Sequence, residues 1–293
     1  MQTKIGTAPV TWGVWFPDDV KQMPWDRCMD EMAEAGYTGV ELGPWGYLPN
    51  NFKTLNAELS KRNLNLVSTT LMGDLTSNEN VDYMISILDN IAKLQRRFET
   101  AQYIILIDDC YTDLITGEII RPKNLSKDEM STLINNIIRI RDYARKEYHL
   151  KVLFHPHAET HIETEEQIEI LLSLTDIELC FDTGHHAYVG SDPITFFKKH
   201  YHRIPYIHLK NINADIRDKK DKENWSLGKA VQEGIMVELD AGIMDMMQFA
   251  KVLKEVDYSG WIIFEQDMYP APFDKPLPIA KGAREYLRKL EVG

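Results

Sequence analysis

The sequence predicts a (β/α)8 barrel, and three observations carry that prediction. Short β-branched or apolar runs alternate with longer helical patterns along the whole length, the mark of repeated βα units around a parallel sheet. Eight such runs can be counted, the number that closes this type of barrel. The 293 residues contain no linker, internal repeat or low-complexity stretch, so residues 1–293 are read as one domain. An open doubly wound sheet gives a similar alternation, and closure is the point a structure must decide.

The eight runs fall at residues 5–8, 39–42, 64–69, 103–107, 151–155, 177–182, 204–209 and 261–265. Helices between them announce their own starts. Ser126 with Glu129, and Thr164 with Gln167, have capping-box spacing ahead of apolar runs. Asn78 is the expected cap of a helix over 79–97, where Val81, Met84, Ile85, Leu88 and Ile91 recur at helical spacing. Leu133, Ile134, Ile137 and Ile138 form a similar face on the next helix. The charge run RDKKDKE at 217–223 reads as a solvated loop.

Composition narrows the function classes. A hydrophobic fraction of 44% is ordinary for a globular chain with a large core. No stretch approaches the roughly 18 apolar residues of a membrane span, and the opening MQTKIGTAPV has no secretory pattern. Cys28, Cys110 and Cys180 lie far apart with no Cys-x-x-Cys pair, so a reducing cytoplasm is the expected compartment. A net charge of −12 repels phosphate backbones, and no basic stripe compensates, which argues against nucleic-acid binding.

Reactive groups in such barrels sit where strands end. Here those ends hold Glu41, Asp108 with Asp109, His155 and His157, Asp182 followed by His185 and His186, His208 and Lys210, and Glu265 and Asp267. Each has a plainer reading: Asp182 would cap the helix that follows, Glu265 would pair with Lys210, and the acidic pair at 108–109 would cap a loop. His149, His200 and His202 are assigned to helix ends or loops, and His161 is left open. Recurrence on four successive strands is what favours a site. Buried carboxylates and imidazoles must be paired or coordinated, and His155, Asp182, His208 and Glu265 make a mixed N and O set for one divalent ion. That set suits Mn2+, Co2+, Mg2+ or Zn2+, with manganese the first choice. Trp12 and Trp15 after the first strand, and Trp45 after the second, are read as a stacking wall for substrate, with packing over the barrel mouth or a subunit interface as the alternative.

The segments DTGH at 182–185, YIHLKN at 206–211 and FEQD at 264–267 resemble the xylose-isomerase-like barrel superfamily. Within it, HPH at 155–157 and AGYTGVELG at 35–43 are similar to inosose dehydratases. EQDMYP at 265–270 and KPLPIA at 275–280 are similar to catalytic subunits of C-glycoside deglycosidases, which work with a small β-rich partner subunit. The resemblance implies Asp182, His208 and Glu265 as metal ligands. His155 stands where many members carry a glutamate, so the fourth ligand stays open among His155, His157 and water. The loop at 43–49 lacks the basic residue of inosose dehydratases.

The resemblance implies a metal-dependent lyase acting on a small oxidised sugar or polyol. A base removes the proton beside a ketone and the substituent one carbon further leaves: water from an inosose, or the aglycone from a 3-oxo-C-glucoside. His157 or His185 is the expected base, Lys210 or Glu41 orients the ketosugar, and Asp267 joins the three tryptophans in substrate contact. An isomerase or epimerase uses the same enolate and is the alternative. A homo-oligomer, or a complex with a small β-rich subunit, is compatible with these features.

Overall fold

The computed structural model describes residues 3–293. Eight parallel strands close on themselves: β1 (Lys4–Thr7), β2 (Gly39–Glu41), β3 (Asn65–Gly73), β4 (Tyr103–Asp108), β5 (Lys151–Phe154), β6 (Glu178–Asp182), β7 (Tyr206–Leu209) and, later in the chain, β10 (Trp261–Phe264). β1 pairs with both β2 and β10, which settles closure in favour of the barrel. Between β7 and β10 a short antiparallel pair, β8 (Asn211–Ile212) and β9 (Met236–Val237), stands outside the barrel.

The outer ring contains α1 (Trp25–Glu34), α2 (Phe52–Lys61), α3 (Asn78–Gln95), α4 (Lys127–Tyr143), α5 (Glu165–Leu174), α6 (Thr183–Tyr188) and α7 (Pro193–His200). The remaining helices are α8 (Ala214–Glu223), α9 (Leu227–Gln232), α10 (Met246–Glu255) and α11 (Pro276–Lys289). Both expected capping boxes form, at Ser126 with Glu129 and at Thr164 with Gln167. The cap of α3 is Ser77 rather than Asn78, its side chain accepting from the Asn80 N–H. The run at 217–223 belongs to α8 and is not a loop. Charges on every side leave that helix no apolar stripe to betray it, but Asn213 caps its start and Asn224 ends it in a left-handed conformation.

Strand pleating explains where the chemistry lies. Leu153, Cys180, Tyr206 and Ile263 point into the barrel and pack with Val67 and Ile105 as an interior apolar layer. Side chains two residues further on point the same way. Those are His155, Asp182, His208 and Glu265, joined by Glu41 from β2, and all five are buried. Two more residues along stand His157, Lys210 and Asp267. On the β6 side that upper position is Gly184, where an added Cβ would lie 2.5 Å from the Cβ of Lys210. A glycine there leaves the room in which the lysine stands. Among the described residues no helix is long and apolar enough to cross a membrane.

Candidate active site

Asp182 sits at the centre of the buried cluster and divides its two oxygens. Oδ1 accepts from the backbone N–H groups of Gly184 and His185 at 2.8 and 2.9 Å, so the predicted helix cap is real. Oδ2 faces inward, with His208 Nδ1 at 3.7 Å, His155 Nε2 at 3.8 Å and His185 Nε2 at 3.8 Å. Lys210 Nζ ion-pairs with it at 3.0 Å, but Oδ2 has no hydrogen-bond partner, and neither do His155 Nδ1, His185 Nδ1 or His208 Nδ1. The expected pairing of Glu265 with Lys210 also forms, at 3.0 Å, and Asp267 approaches the same ammonium at 3.0 Å. Glu265 Oε2 lies 3.2 Å from His208 Nδ1.

Glu41 takes a place behind the cluster. Its Oε1 accepts from the Tyr206 hydroxyl at 2.7 Å and lies 3.0 Å from His208 Nε2. An Nε2–H donated to Glu41 turns Nδ1 of His208 toward Asp182 and Glu265, where it would give up its proton to a bound ion, the arrangement of a carboxylate that orients a histidine able to ligate. The fit of these groups to a divalent ion is therefore good. Inward oxygens and nitrogens without hydrogen-bond partners converge, and three buried carboxylates, Asp182, Glu265 and Asp267, crowd around the single ammonium of Lys210, a concentration of negative charge that suits a cation.

The electrostatics divide the histidines into two groups. Burial holds His155 and His185 well below the ordinary imidazole value, helped by His208 and His157 respectively. Burial and then Lys210 bring His157 down to about 4, so its imidazole is neutral at pH 7. His208 goes the other way: burial opposes its charge, yet it is raised well above the ordinary value. The neighbouring Cys180 thiol is pushed up to about 12 by burial and stays uncharged at pH 7, which leaves Glu265 and Glu41 as the anions that hold the imidazolium. Burial pushes Glu265 up to about 7 against the pull of His208 and Lys210. Lys210 is raised despite its burial, by Asp182 first and then by Asp267 and Glu265.

A cavity of about 310 Å3 opens above the cluster. Its polar side is Glu41, His155, His157, His208, Lys210, Glu265 and Asp267. Trp15 and Trp45 line the same cavity, as the sequence suggests. Trp12 does not, and the expectation for it is corrected. The 3-10 turn Pro9–Trp12 carries it away from the mouth, where it is 0% exposed and donates its indole N–H to Glu31 at 2.9 Å. Of the two candidate bases, His157 borders the cavity while His185 lies behind it, their ring centres 3.8 Å apart. The Nδ1–H of His157 donates to the Ala158 carbonyl at 2.8 Å, so Nε2 carries its lone pair. His161 is structural, held between Asp108 at 2.6 Å and the Pro122 carbonyl at 3.0 Å. Met72, Ile107, Leu114 and Leu227 also border the cavity and are not singled out by sequence. Only Leu71 and Met72, apolar residues just past the expected end of the third strand, hint at it.

A closed barrel with a polar cluster ringed by the C-terminal ends of its strands is the arrangement of a barrel enzyme with its site at the strand ends. The chain belongs to the xylose isomerase-like TIM barrel family, whose model matches residues 29–290. It is 30% identical over 297 aligned residues to the inosose dehydratase of Clostridium beijerinckii, covering 98% of this chain and 97% of that protein. Among solved structures it resembles the probable 3-DHS dehydratase AsbF of Bacillus anthracis, with a TM-score of 0.71, 18% identity and coverage of 98% and 99%. It also resembles the IOLI protein with a binding zinc atom, with a TM-score of 0.71, 14% identity and coverage of 98% of each chain. With such full-length relatives the chain is an enzyme of that family.

Proposed function

We propose that the protein is a metal-dependent lyase that removes the proton beside a ketone of a neutral oxidised cyclic sugar and expels the substituent one carbon further. The observation that carries this reading is the convergence of three histidine nitrogens on Asp182 Oδ2, a buried carboxylate oxygen without a hydrogen-bond partner. The name of the C. beijerinckii relative supports water as the leaving group and an inosose as the substrate.

Asp182, His208, Glu265 and His155 would hold the ion, with manganese preferred for this N and O donor set. Such an ion would polarise the ketone and stabilise the enolate charge. The chain's own residues supply the rest. His157, neutral and with Nε2 free, accepts the α-proton, and the imidazolium so formed returns it to the departing hydroxyl, which leaves as water. Lys210, fixed by Asp267 at 3.0 Å, donates to a substrate oxygen over the polar side of the cavity. Glu41 and Tyr206 keep the His208 ring in one orientation. Lys210 is the one lysine or arginine among the described residues bordering the cavity, and three carboxylates border it too, which favours a neutral sugar over a phosphorylated one.

Mass spectrometry of products from scyllo-inosose, with manganese-loaded and chelated protein side by side, tests the reading. Loss of one water confined to the loaded sample is expected. Isomerisation without mass change would replace it with an isomerase or epimerase using the same enolate.

A further inference from the structure

We infer that Thr70 is a specificity-determining residue whose hydroxyl pairs with one hydroxyl of the substrate ring, on the edge away from the ketone. This inference rests on the function proposed above and adds to it how the ring is oriented. The alternation of β3 puts Ser68, Thr70 and Met72 on its inward face. The Ser68 hydroxyl is engaged inside the barrel, 2.9 Å from that of Tyr206. Thr70 stands higher, in register with Ile105 of β4, and is half-buried where Ser68 is fully buried. The part left open faces the cavity, to which Thr70 brings the one hydroxyl among the described residues of its border. The charged groups of that border answer one another, Lys210 with Glu265 and Asp267, and Glu41 with His208. No such partner engages the Thr70 hydroxyl among the described residues.

Its place in the ring of strands gives this hydroxyl a task. The closed order runs β1, β10, β7, β6, β5, β4, β3, β2, so β3 lies halfway round the barrel from β7, which carries His208 and leads into Lys210. A six-membered ring whose ketone is held on the side of His208 and Lys210 turns its far edge toward β3. The neighbours of Thr70 at the cavity, Leu71, Met72 and Ile107, are apolar, so a ring hydroxyl arriving there finds a single side-chain partner. That partner both donates and accepts, as a ring hydroxyl does. Branching at Cβ restricts the threonine rotamer, which sets the direction of the hydroxyl before the substrate arrives. An analogue without the matching hydroxyl covers Thr70 and leaves it unpaired, and that penalty is what discriminates.

Calorimetric titration of the manganese-loaded protein with scyllo-inosose and each of its monodeoxy analogues tests the pairing, with affinities compared at equal bound manganese. Thr70→Val keeps the side-chain shape and removes the hydroxyl. It is expected to weaken scyllo-inosose binding by about three- to tenfold, while Thr70→Ser stays within about twofold of wild type. One deoxy analogue should bind wild type and Thr70→Val alike, a coupling that a merely structural threonine would not show. Wild-type affinity in Thr70→Val, Thr70→Ser as weak as Thr70→Val, or a loss shared equally by every analogue overturns the inference. Those outcomes leave untouched the water loss from scyllo-inosose, which is read separately by mass spectrometry. Wild type that binds no inosose overturns the pairing and the inosose reading of the site together.

Discussion

The two sides of the barrel mouth are built from the same kind of element yet do opposite work. On the side of β5, β6, β7 and β10, inward positions at the strand ends are His155, Asp182, His208 and Glu265, each buried and each within reach of another's charge. On the side of β1 to β4, the cavity is bordered chiefly by apolar groups such as Trp15, Trp45, Met72 and Ile107. Glu41 is the charged exception on that side, and it serves the first by holding His208. The contrast teaches how one ring of strand ends keeps buried charge on one arc and apolar surface on the other.

Three substitutions sharpen that contrast, in falling order of effect. His157→Ala should lower turnover by ~10²–10⁴-fold if its imidazole takes the α-proton, measured as kcat with metal content held equal; an unchanged kcat would transfer the role elsewhere. Glu41→Gln removes the charge that fixes the His208 tautomer, and metal affinity should fall by ~10–100-fold, read by competition with a chelating dye. Affinity within twofold of wild type would reduce Glu41 to a packing residue. Trp45→Ala lies on the apolar side and should raise KM by roughly two- to tenfold, the worth of one aromatic contact, while kcat holds. A loss confined to kcat would break the division of labour between the two sides.

Much of this arrangement is legible in the sequence because it follows from period two. Each expected strand lies within a few residues of an observed one, and the polar residue at each strand end shares its face with an interior apolar residue two positions earlier, as His208 does with Tyr206 and Glu265 with Ile263. The expected caps at Ser126 and Thr164 form for the same local reason, a hydroxyl three residues from its partner. What the sequence hides depends on the path of loops. Trp12 and Trp15 are three residues apart, and only the turn between them sends one to the Glu31 carboxylate and the other to the mouth. Leu114 and Leu227 are distant in sequence and meet where Gly228 packs on the Leu114 carbonyl, a contact that no pattern of periodicity records. Helix α8 escapes notice because, with only Lys220 buried, it has no apolar face to repeat.

The most direct test of the metal-centred site is stoichiometry in Asp182→Asn. Asparagine keeps an oxygen to cap α6 at Gly184 and His185, so the fold is expected to survive, while the inward charge is lost. With both proteins dialysed against manganese and analysed by plasma mass spectrometry, wild type should retain one ion per chain and the variant almost none. A variant that keeps a full equivalent, or a folded wild type that takes up no divalent ion, would contradict the assignment of this cluster as the metal centre.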